Sequence, residues 1–487
     1  MSAPMGTEGG FQPVLLWTDA LLWLLVALGV LAVFHARGQA PLREAWRKVG
    51  KRPVGMATAT VLLAFVAVGM LDSLHYRPLL PAVDAAQAAE AGAAERAGPV
   101  YSTEVLSVLD AVLAPLRLQT EKTYSAPFAW TLYQRETIEA ADGRQLRDYP
   151  RLLHGGAHLG EEPTAGRAGD LAVSMARALG QAALAWLAAF VVLATLVWRG
   201  SGHGWGEVAA AVLGGRTVLA WRAALVMLGV LLAAVALGVE LAPRYHVFGT
   251  DKVGQDVLYL ALKSVRTALV IGTLTTLVMM PFAVALGIAA GYLGGWVDDA
   301  VQYVYTVLNA IPGVLLIAAA VLMMQVVIDT HPEWFDTAAE RSDARLLALC
   351  FILGITSWTG LARLLRGETL KLRELEYVQA ARAFGVGTPA ILRRHILPNL
   401  MHIVLIALVM DFSGLVLAEA VLSYVGIGVD PSTISFGTMI NMARAELARE
   451  PMVWWSLAAA FVFMFVLVLA ANLFADGVRD AFDPRRG

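Results

Sequence analysis

Residues 376–398 read EYVQAARAFGVGTPAILRRHILP, a polar segment, a glycine break and a basic return between two long apolar stretches. The small side chains of Ala380 and Ala381 beside Gln379 give a narrow helix surface that another protein's backbone can approach closely. Gly385 permits a sharp turn with positive φ. The stretch therefore predicts a short, rigid helix across the membrane face, which transmits force to the two spans it joins. An ordinary amphipathic connector lying on the lipid headgroups is the alternative.

The composition is that of a membrane protein. Of 487 residues, 58% are hydrophobic and 16% are charged, with a mean hydropathy of +0.64. Soluble domains carry about 25% charged residues. A net charge of −2 provides no basic field for nucleic acid. Cys350 is the single cysteine, so no internal disulfide is expected.

Apolar runs of about 20 residues or more are long enough to cross the hydrocarbon core of a bilayer. Helices are expected because an open strand in lipid would leave backbone groups unpaired. The predicted fold class is an all-α polytopic membrane protein with about nine transmembrane helices. The predicted spans are 13–34, 54–72, 171–198, 217–241, 265–292, 300–328, 346–365, 400–425 and 453–474.

The Lys/Arg bias of the short connections predicts the orientation. The basic stretches 35–52 and 363–394 are expected in the cytoplasm, and the acidic stretch 329–345 is expected outside. Nine spans then place the N-terminus outside and the C-terminus inside. No cleavable signal is expected, because the first apolar run lacks preceding basic residues and a following cleavage site.

Four parts follow from this pattern. They are a two-span N-terminal hairpin (1–72), an external insertion of roughly 100 residues (73–170), two further spans (171–245), and a C-terminal core (246–487) whose cytoplasmic loop is 366–399.

The external insertion begins with an Ala/Glu-rich segment, 83–97, which is predicted to be helical or a flexible spacer. Beyond it, apolar residues recur at helical spacing, with Ser102 or Thr103 as the predicted N-cap. These apolar residues are Val105, Leu106, Val108, Leu109, Val112, Leu113 and Leu116.

The stretch 376–398 resembles the EAA loop in the membrane subunits of ABC importers. Gln379, Ala380, Ala381, Gly385, Leu397 and Pro398 fall at the spacings of that loop. From about Val247 onward the chain also resembles the C-type permease subunit of dipeptide and oligopeptide ABC importers, of the type I binding-protein-dependent family. The similar stretches are FGTD (248–251), GYLGGWVD (291–298), AIP (310–312), LAEAVLSYVGIG (417–428) and DGVRDAFDP (476–484).

This resemblance implies a bacterial inner-membrane machine with two permeases, two cytoplasmic ATPases and an external peptide-binding protein. The permease would have no catalytic residue and no metal, and ATP with Mg would be bound by the ATPases. Gln379 departs from the family, which most often has Glu there. The residues implied in coupling to the ATPase are Glu376, Gln379, Ala380, Ala381, Arg382, Gly385 and Pro398.

Four polar residues are candidates for the substrate path: Asn309, Asp411, Ser413 and Glu419. Asp411 lies in the middle of a predicted span, where an ionisable group more often faces a cavity or partner than lipid. It is expected to line the path or contact a peptide amine; the alternative is that it is protonated or pairs with the partner permease. Glu419 fits a structural role between helices better. The family's charged residues ahead of AIP are replaced here by Tyr303 and Thr306.

Two other motifs are interpreted as non-functional. Gly249 to Gly254 has the spacing of a phosphate loop, but Gln255 and Asp256 replace its Lys and Ser/Thr. A second set of residues has the spacing of metal ligands, but its glycines favour a loop. These residues are His154, His158, Glu161 and Glu162.

The alternative functions are a self-sufficient secondary transporter or channel and an intramembrane enzyme. A transporter would have paired broken spans, and Pro281 and Pro312 do interrupt two spans, but it would leave the basic loop without a role. An enzyme would need a nucleophile–base pair or a metal motif within the spans, and neither is found. The external insertion is expected to contact the binding protein, with an accessory stabilising role as the alternative.

Overall fold

The computed structural model describes residues 10–79, 101–139, 145–160, 163–335 and 337–482, so the predicted segment 83–97 lies outside the described residues. The helices are α1 (Trp17–Gly38), α2 (Ala40–Lys51), α3 (Pro53–Asp72), α4 (Val108–Val112), α5 (Ala114–Leu118), α6 (Pro163–Arg199), α7 (Trp205–Leu213), α8 (Trp221–Leu241), α9 (Val257–Leu293), α10 (Gly295–Ala310), α11 (Gly313–Thr330), α12 (Ala338–Ser357), α13 (Thr359–Arg373), α14 (Glu376–Ala383), α15 (Thr388–Ile391), α16 (Leu397–Val425), α17 (Phe436–Glu446) and α18 (Trp455–Phe482).

Nine helical segments among the described residues are long and apolar enough to cross a membrane, and each predicted span overlaps one of them. The all-α fold class is confirmed. Helices α12 and α13 together form the seventh segment, and the eighth, residues 388–425, runs from α15 through a π-helical turn at Leu392–Ile396 into α16.

The predicted span 300–328 begins too early, because the chain breaks between α10 and α11 at Pro312, the proline expected to interrupt it. Ile311 has an extended backbone (φ −90°, ψ 130°) and precedes Pro312. A proline disfavours the helical conformation in the residue before it. Only α11 of these two helices is among the nine candidate spans.

Helix α9 is the central element of the core and packs against α3, α12, α13 and α16. Its 37 residues extend about 55 Å. Glycines allow the close approach of α13: an added Cβ at Gly287 would lie 2.7 Å from the carbonyl oxygen of Ala362, and one at Gly291 would lie 2.7 Å from that of Arg366.

The N-terminal helix α1 is bound to the core by buried charged groups. Arg266 of α9 donates to Asp19 Oδ1 from Nε (3.0 Å) and from Nη2 (2.6 Å), and Nη2 also donates to Thr18 Oγ1 (2.9 Å). The Thr18 backbone N–H donates to Asp343 Oδ2 of α12 at 3.1 Å. His75 Nδ1 lies 2.7 Å from the second oxygen of Asp19. This network places α1 in register with α9 and α12.

Residues 73–170, called the external part after their predicted position, contain β2 (His75–Pro78), β3 (Leu106–Ser107) and a hairpin of β4 (Glu136–Glu139) and β5 (Gln145–Asp148) among their described positions. Strands β2 and β3 form a three-stranded antiparallel sheet with β1 (Phe11–Val14) of the N-terminal part. In the sheet, Phe11 pairs with Pro78 and Tyr76 with Leu106.

The predicted helix from about residue 105 was wrong in its beginning and its length. Leu106 belongs to β3, and the N-cap is Ser107 rather than Ser102 or Thr103. Ser107 Oγ accepts from the Asp110 N–H and the Asp110 carboxylate accepts from the Ser107 N–H, which is a capping box. The helical region is also divided into α4 and α5, with Pro115 in the first turn of α5.

Candidate coupling site and translocation face

Helix α14 is held against the core by one buried residue, Val378, which is 2% exposed. Val378 packs in an apolar cluster with Leu365 of α13, Ile391 of α15 and Leu400 of α16. Since α13 and α16 both contribute to this cluster, α14 packs against the two spans that it joins.

The opposite face of α14 is open. Glu376, Gln379, Ala380 and Arg382 are exposed, whereas Ala381 is half-buried and contacts the apolar cluster. By helical spacing Glu376, Gln379 and Ala380 lie on the face opposite Val378, whereas Arg382 is exposed beside the buried side and Ala381 is directed inward. Pro398, at the start of α16, is exposed as well.

Two aromatic residues on this surface were missed by the sequence analysis. Phe384 is 87% exposed at the end of α14, and Tyr377 is 44% exposed. A large apolar side chain in so polar a loop is a signal for a protein contact, because aromatic residues are enriched at interface centres. Reading the loop for exposed aromatics, beyond its motif spacing, would have found Phe384.

Gly385 ends the helix in the left-handed region, at φ +75°, and donates its N–H to the carbonyl of Arg382 at 3.0 Å. Gln379 donates from Nε2 to the backbone oxygen and to the carboxylate of Glu374, both at 3.3 Å. A glutamate at position 379 has no N–H to donate to these acceptors. The departure from the family residue thus fixes the start of the loop from within the chain.

Arginines connect the loop to the inner ends of α9 and α10. Arg366 makes a bidentate pair with Asp298 through contacts of 2.5 and 2.6 Å. Arg373 donates to the carbonyl oxygens of Gly291 and Tyr292 at 3.5 and 3.4 Å. A bidentate arginine–carboxylate pair fixes orientation as well as distance. The loop is therefore a rigid extension of several spans.

A second open surface runs along α16. Five of its residues are exposed at intervals of three or four positions: Met410, Gly414, Leu417, Val421 and Tyr424. This spacing puts them on one helix face. Asp411 lies half-buried beside this face, and its carboxylate has no hydrogen-bond or ion-pair partner within the described residues.

The other three candidates for the substrate path differ from Asp411 in their burial or their hydrogen-bond partners. Ser413 is buried and donates to Asn472 Oδ1 of α18 at 2.6 Å. Glu419 is 1% exposed and accepts from Ser423 (2.6 Å) and from Ser435 (2.9 Å), next to α17. These contacts favour packing roles for both residues. Asn309 is exposed at the end of α10, and the path assignments remain predictions.

The external part is joined to the core through a buried histidine. His246 is 1% exposed; its Nδ1 lies 2.8 Å from Asp256, which caps α9, and its Nε2 lies 3.3 Å from Glu121. Burial alone would lower the pKa of His246, but these hydrogen bonds and charges raise it to about 9. Burial would raise the pKa of Glu121, but the hydrogen bond from His246 and three backbone N–H donors lower it to about 2.

This junction predicts a defined pH dependence. The stability that charged His246 contributes to the fold is complete below about pH 6.5 and is lost as the pH rises through about 9. The stability that charged Glu121 contributes is present above about pH 4.5 and is lost as the pH falls through about 2. We expect the external part to lose about 3 kcal/mol of stability between pH 6.5 and 9.5, from the His246 shift. Limited proteolysis across this range measures the loss.

A histidine variant tests the origin of that loss. His246→Gln should flatten the pH dependence, whereas His158→Gln should preserve it, since His158 is exposed and pairs only at the surface with Asp170 (3.0 Å). If His246→Gln still loses stability between pH 6.5 and 9.5, His246 is not the origin of that loss.

The first of the two motifs interpreted as non-functional is occupied by structural contacts. Gly254, at φ +77°, is covered by the external part, because an added Cβ there would lie 1.8 Å from the carbonyl oxygen of Glu121. The 249–254 stretch therefore has no open phosphate cradle. Among the described residues no group of three potential ligands could hold a metal, and Glu161 and Glu162 lie outside those residues.

Comparison with known sequences identifies the class. Residues 283–487 match the family of the binding-protein-dependent transport system inner membrane component. The chain is 32% identical over 239 residues to the oligopeptide transport system permease protein OppC of Mycobacterium tuberculosis, covering 49% of this chain and 76% of the relative. It is 34% identical over 242 residues to the glutathione transport system permease protein GsiD of Pectobacterium atrosepticum, covering 49% and 73%.

A third relative is the dipeptide transport system permease protein DppC of Lactococcus lactis, at 31% identity over 250 residues, covering 51% of this chain and 66% of the relative. The chain belongs to the family of inner membrane components of binding-protein-dependent transport systems. It is a multi-pass permease subunit of an ABC importer, as the 376–398 stretch predicted, and the secondary-transporter alternative is not favoured.

Proposed function

We propose that this chain is one of two permeases in an ATP-driven importer of peptides, located in a bacterial inner membrane. It forms half of the translocation path, with its N-terminus outside and its C-terminus inside. The printed names of the relatives support a peptide or peptide-like cargo. The observation that carries the proposal is the open face of α14 above a cluster shared by two spans.

Coupling to the ATPase takes place through that face. The exposed Phe384 provides an aromatic anchor, and Glu376, Gln379, Ala380 and Arg382 surround it with small and polar contacts. Contacts of this type, an aromatic centre within a polar rim, are typical of protein interfaces. ATP and Mg are bound by two partner ATPases, and α14 of this chain transmits their motion to the spans.

The external part contacts the peptide-binding protein in this proposal. It rests directly on the loop before α9: Phe128 N–H donates to the His246 carbonyl at 3.0 Å, and Ser125 N–H donates to Thr250 Oγ1 at 2.7 Å. A contact made outside can therefore reach the first turn of the central helix. Deleting the whole insertion would expose this loop, so surface substitutions on the β4–β5 hairpin are the better test of docking.

Asp411 binds the amino group of the cargo in this proposal. We expect Asp411→Asn to raise the KM for a dipeptide at least about tenfold, because a hydrogen bond to a charged group contributes about 1.5–3 kcal/mol. Uptake into proteoliposomes should show no such change for the N-acetylated dipeptide or for the Ser413→Ala control. Equal changes for both peptides would contradict the amine contact.

Co-purification in mild detergent tests the proposed function as a whole. The tagged chain should bring with it a second permease and two ATPase subunits, and vesicles containing the complex should take up peptide only with ATP. A chain that purifies alone and moves solute without ATP would restore the secondary-transporter alternative.

A further inference from the structure

An apolar groove of about 420 Å³ lies between the N-terminal helices and the core. Helices α1, α3, α9, α16 and α18 line it. Its two hydroxyl groups are already used, because Thr273 donates to the carbonyl of Leu269 (2.6 Å) and Thr276 to that of Gly272 (2.7 Å). The groove thus offers almost only hydrocarbon to an occupant. Representative lining residues are Leu28, Gly29, Val66, Leu277, Val409 and Phe474.

The groove is long as well as apolar. It follows α9 from Leu269 to Met280, about 16 Å of helix. An extended acyl chain can lie along this length and contact hydrocarbon throughout.

One end of the groove meets the basic helix α2. Phe474 lines the groove and also packs in the apolar cluster that contains Val49 of α2 and Val478 of α18. Val49 and Ala45 form the buried face of α2, at 3% and 9% exposure. This end of the groove therefore lies beside the buried face of α2.

The rest of α2 is positively charged and open. Its exposed basic residues make no ion pair within the described residues, and the helix has one acidic residue, Glu44. Trp46 is 43% exposed, and its ring forms a T-shaped pair with that of Phe482, with the two ring centroids 5.5 Å apart. Basic residues and a tryptophan beside the ends of spans are typical of contacts with anionic headgroups. The basic residues are Arg43, Arg47, Lys48 and Lys51.

We propose that the groove and α2 together bind one anionic phospholipid. An acyl chain lies in the groove, and the phosphate headgroup contacts the basic residues of α2. The lipid fills the space between α1 and the core and so stabilises the N-terminal hairpin against α9. This site is independent of the cargo and of the ATPase contact.

Photolabelling of the purified complex in nanodiscs tests the site. The probes are phosphatidylglycerol and phosphatidylcholine, each with a diazirine on one acyl chain. We expect phosphatidylglycerol to label the groove segments of α9 and α16 at least about fivefold more than phosphatidylcholine does, given about 1 kcal/mol for each basic residue near the headgroup.

Two variants and a control separate the parts of the site. Gly29→Leu should fill the groove, since an added Cβ there meets no atom within 4 Å, and should abolish labelling with both lipids. Neutralising Arg47, Lys48 and Lys51 to Gln should remove the preference for phosphatidylglycerol. Neutralising three exposed arginines elsewhere on the predicted cytoplasmic side should leave this preference unchanged; these are Arg199, Arg393 and Arg394.

Two results would overturn the proposal. One is equal labelling of the groove by the two lipids, which would make the occupant any lipid that happens to be present. The other is an unlabelled groove together with a Gly29→Cys cross-link to the second permease, which would make the groove a protein interface.

Discussion

Gly385→Arg is expected to abolish ATP-driven uptake and to remove the ATPase subunits from the purified complex. The glycine has φ +75° and is exposed, and an added Cβ meets no atom within 4 Å. The chain itself therefore tolerates the bulk, and the backbone strain costs about 1–2 kcal/mol. The arginine instead projects beside Phe384, at the centre of the proposed docking surface. Loss of such a centre costs about 2–4 kcal/mol, or at least about thirtyfold in affinity.

A matched variant distinguishes blocking from strain. Gly385→Ala introduces the same unfavourable φ without the long side chain, so ATPase subunits should still be retained. Phe384→Ala should weaken their retention as Gly385→Arg does, although it leaves the turn intact. If Gly385→Ala and Gly385→Arg lose the ATPases equally, the turn and not the surface is responsible, and the docking proposal loses its support.

Arg266→Met is expected to produce the largest loss of stability among single changes in the spans. It leaves the carboxylates of Asp19 and Asp343, both at most 5% exposed, without their arginine partner, and Asp19 then has only His75 beside it. Removing one partner of a buried ion pair costs about 3–5 kcal/mol. We expect a fall of well over tenfold in the amount of folded protein that survives heating in detergent.

Two comparisons control this prediction. Arg52→Met breaks an ion pair with Asp480 of similar length, 2.6 Å, but its partners are 47% and 30% exposed, so it should cost at most about 1 kcal/mol. Combining Asp19→Asn with Arg266→Met removes both members of the shorter of the two ion pairs of Arg266 and should recover part of the lost stability. No recovery in the double variant would mean that the packing of the arginine stem, and not its charge, stabilises α1.

The sequence predicted the features that depend on neighbours along the chain. Nine spans follow from apolar run length, and the α14 loop follows from the alanines at 380 and 381 and the glycine at 385, because each needs only local geometry. The inward direction of Ala381 and the exposure of Phe384 depend on how α14 rotates onto the core. That rotation is set by Val378 packing against three other elements, which spacing does not reveal.

The charged contacts were not predictable for a related reason. Asp19 and Arg266 are 247 positions apart, and Glu121 and His246 are 125 positions apart. Each residue alone resembles an ordinary polar residue near the end of a span or in a loop. Their pairing depends on the three-dimensional arrangement of the helices, so a single sequence without that arrangement gives no indication of it.

The Asp19–Arg266 pair also bears on how the protein is made. Asp19 is synthesised 247 residues before Arg266, which at about 5–20 residues per second is a delay of roughly 12–50 s. During that interval the carboxylate of Asp19, the third residue of α1, lacks its arginine partner and has only the ring of His75 beside it, which favours keeping that end of the helix at the water boundary. We therefore expect α1 to reach its final depth only after the fifth predicted span, which contains Arg266, has been made.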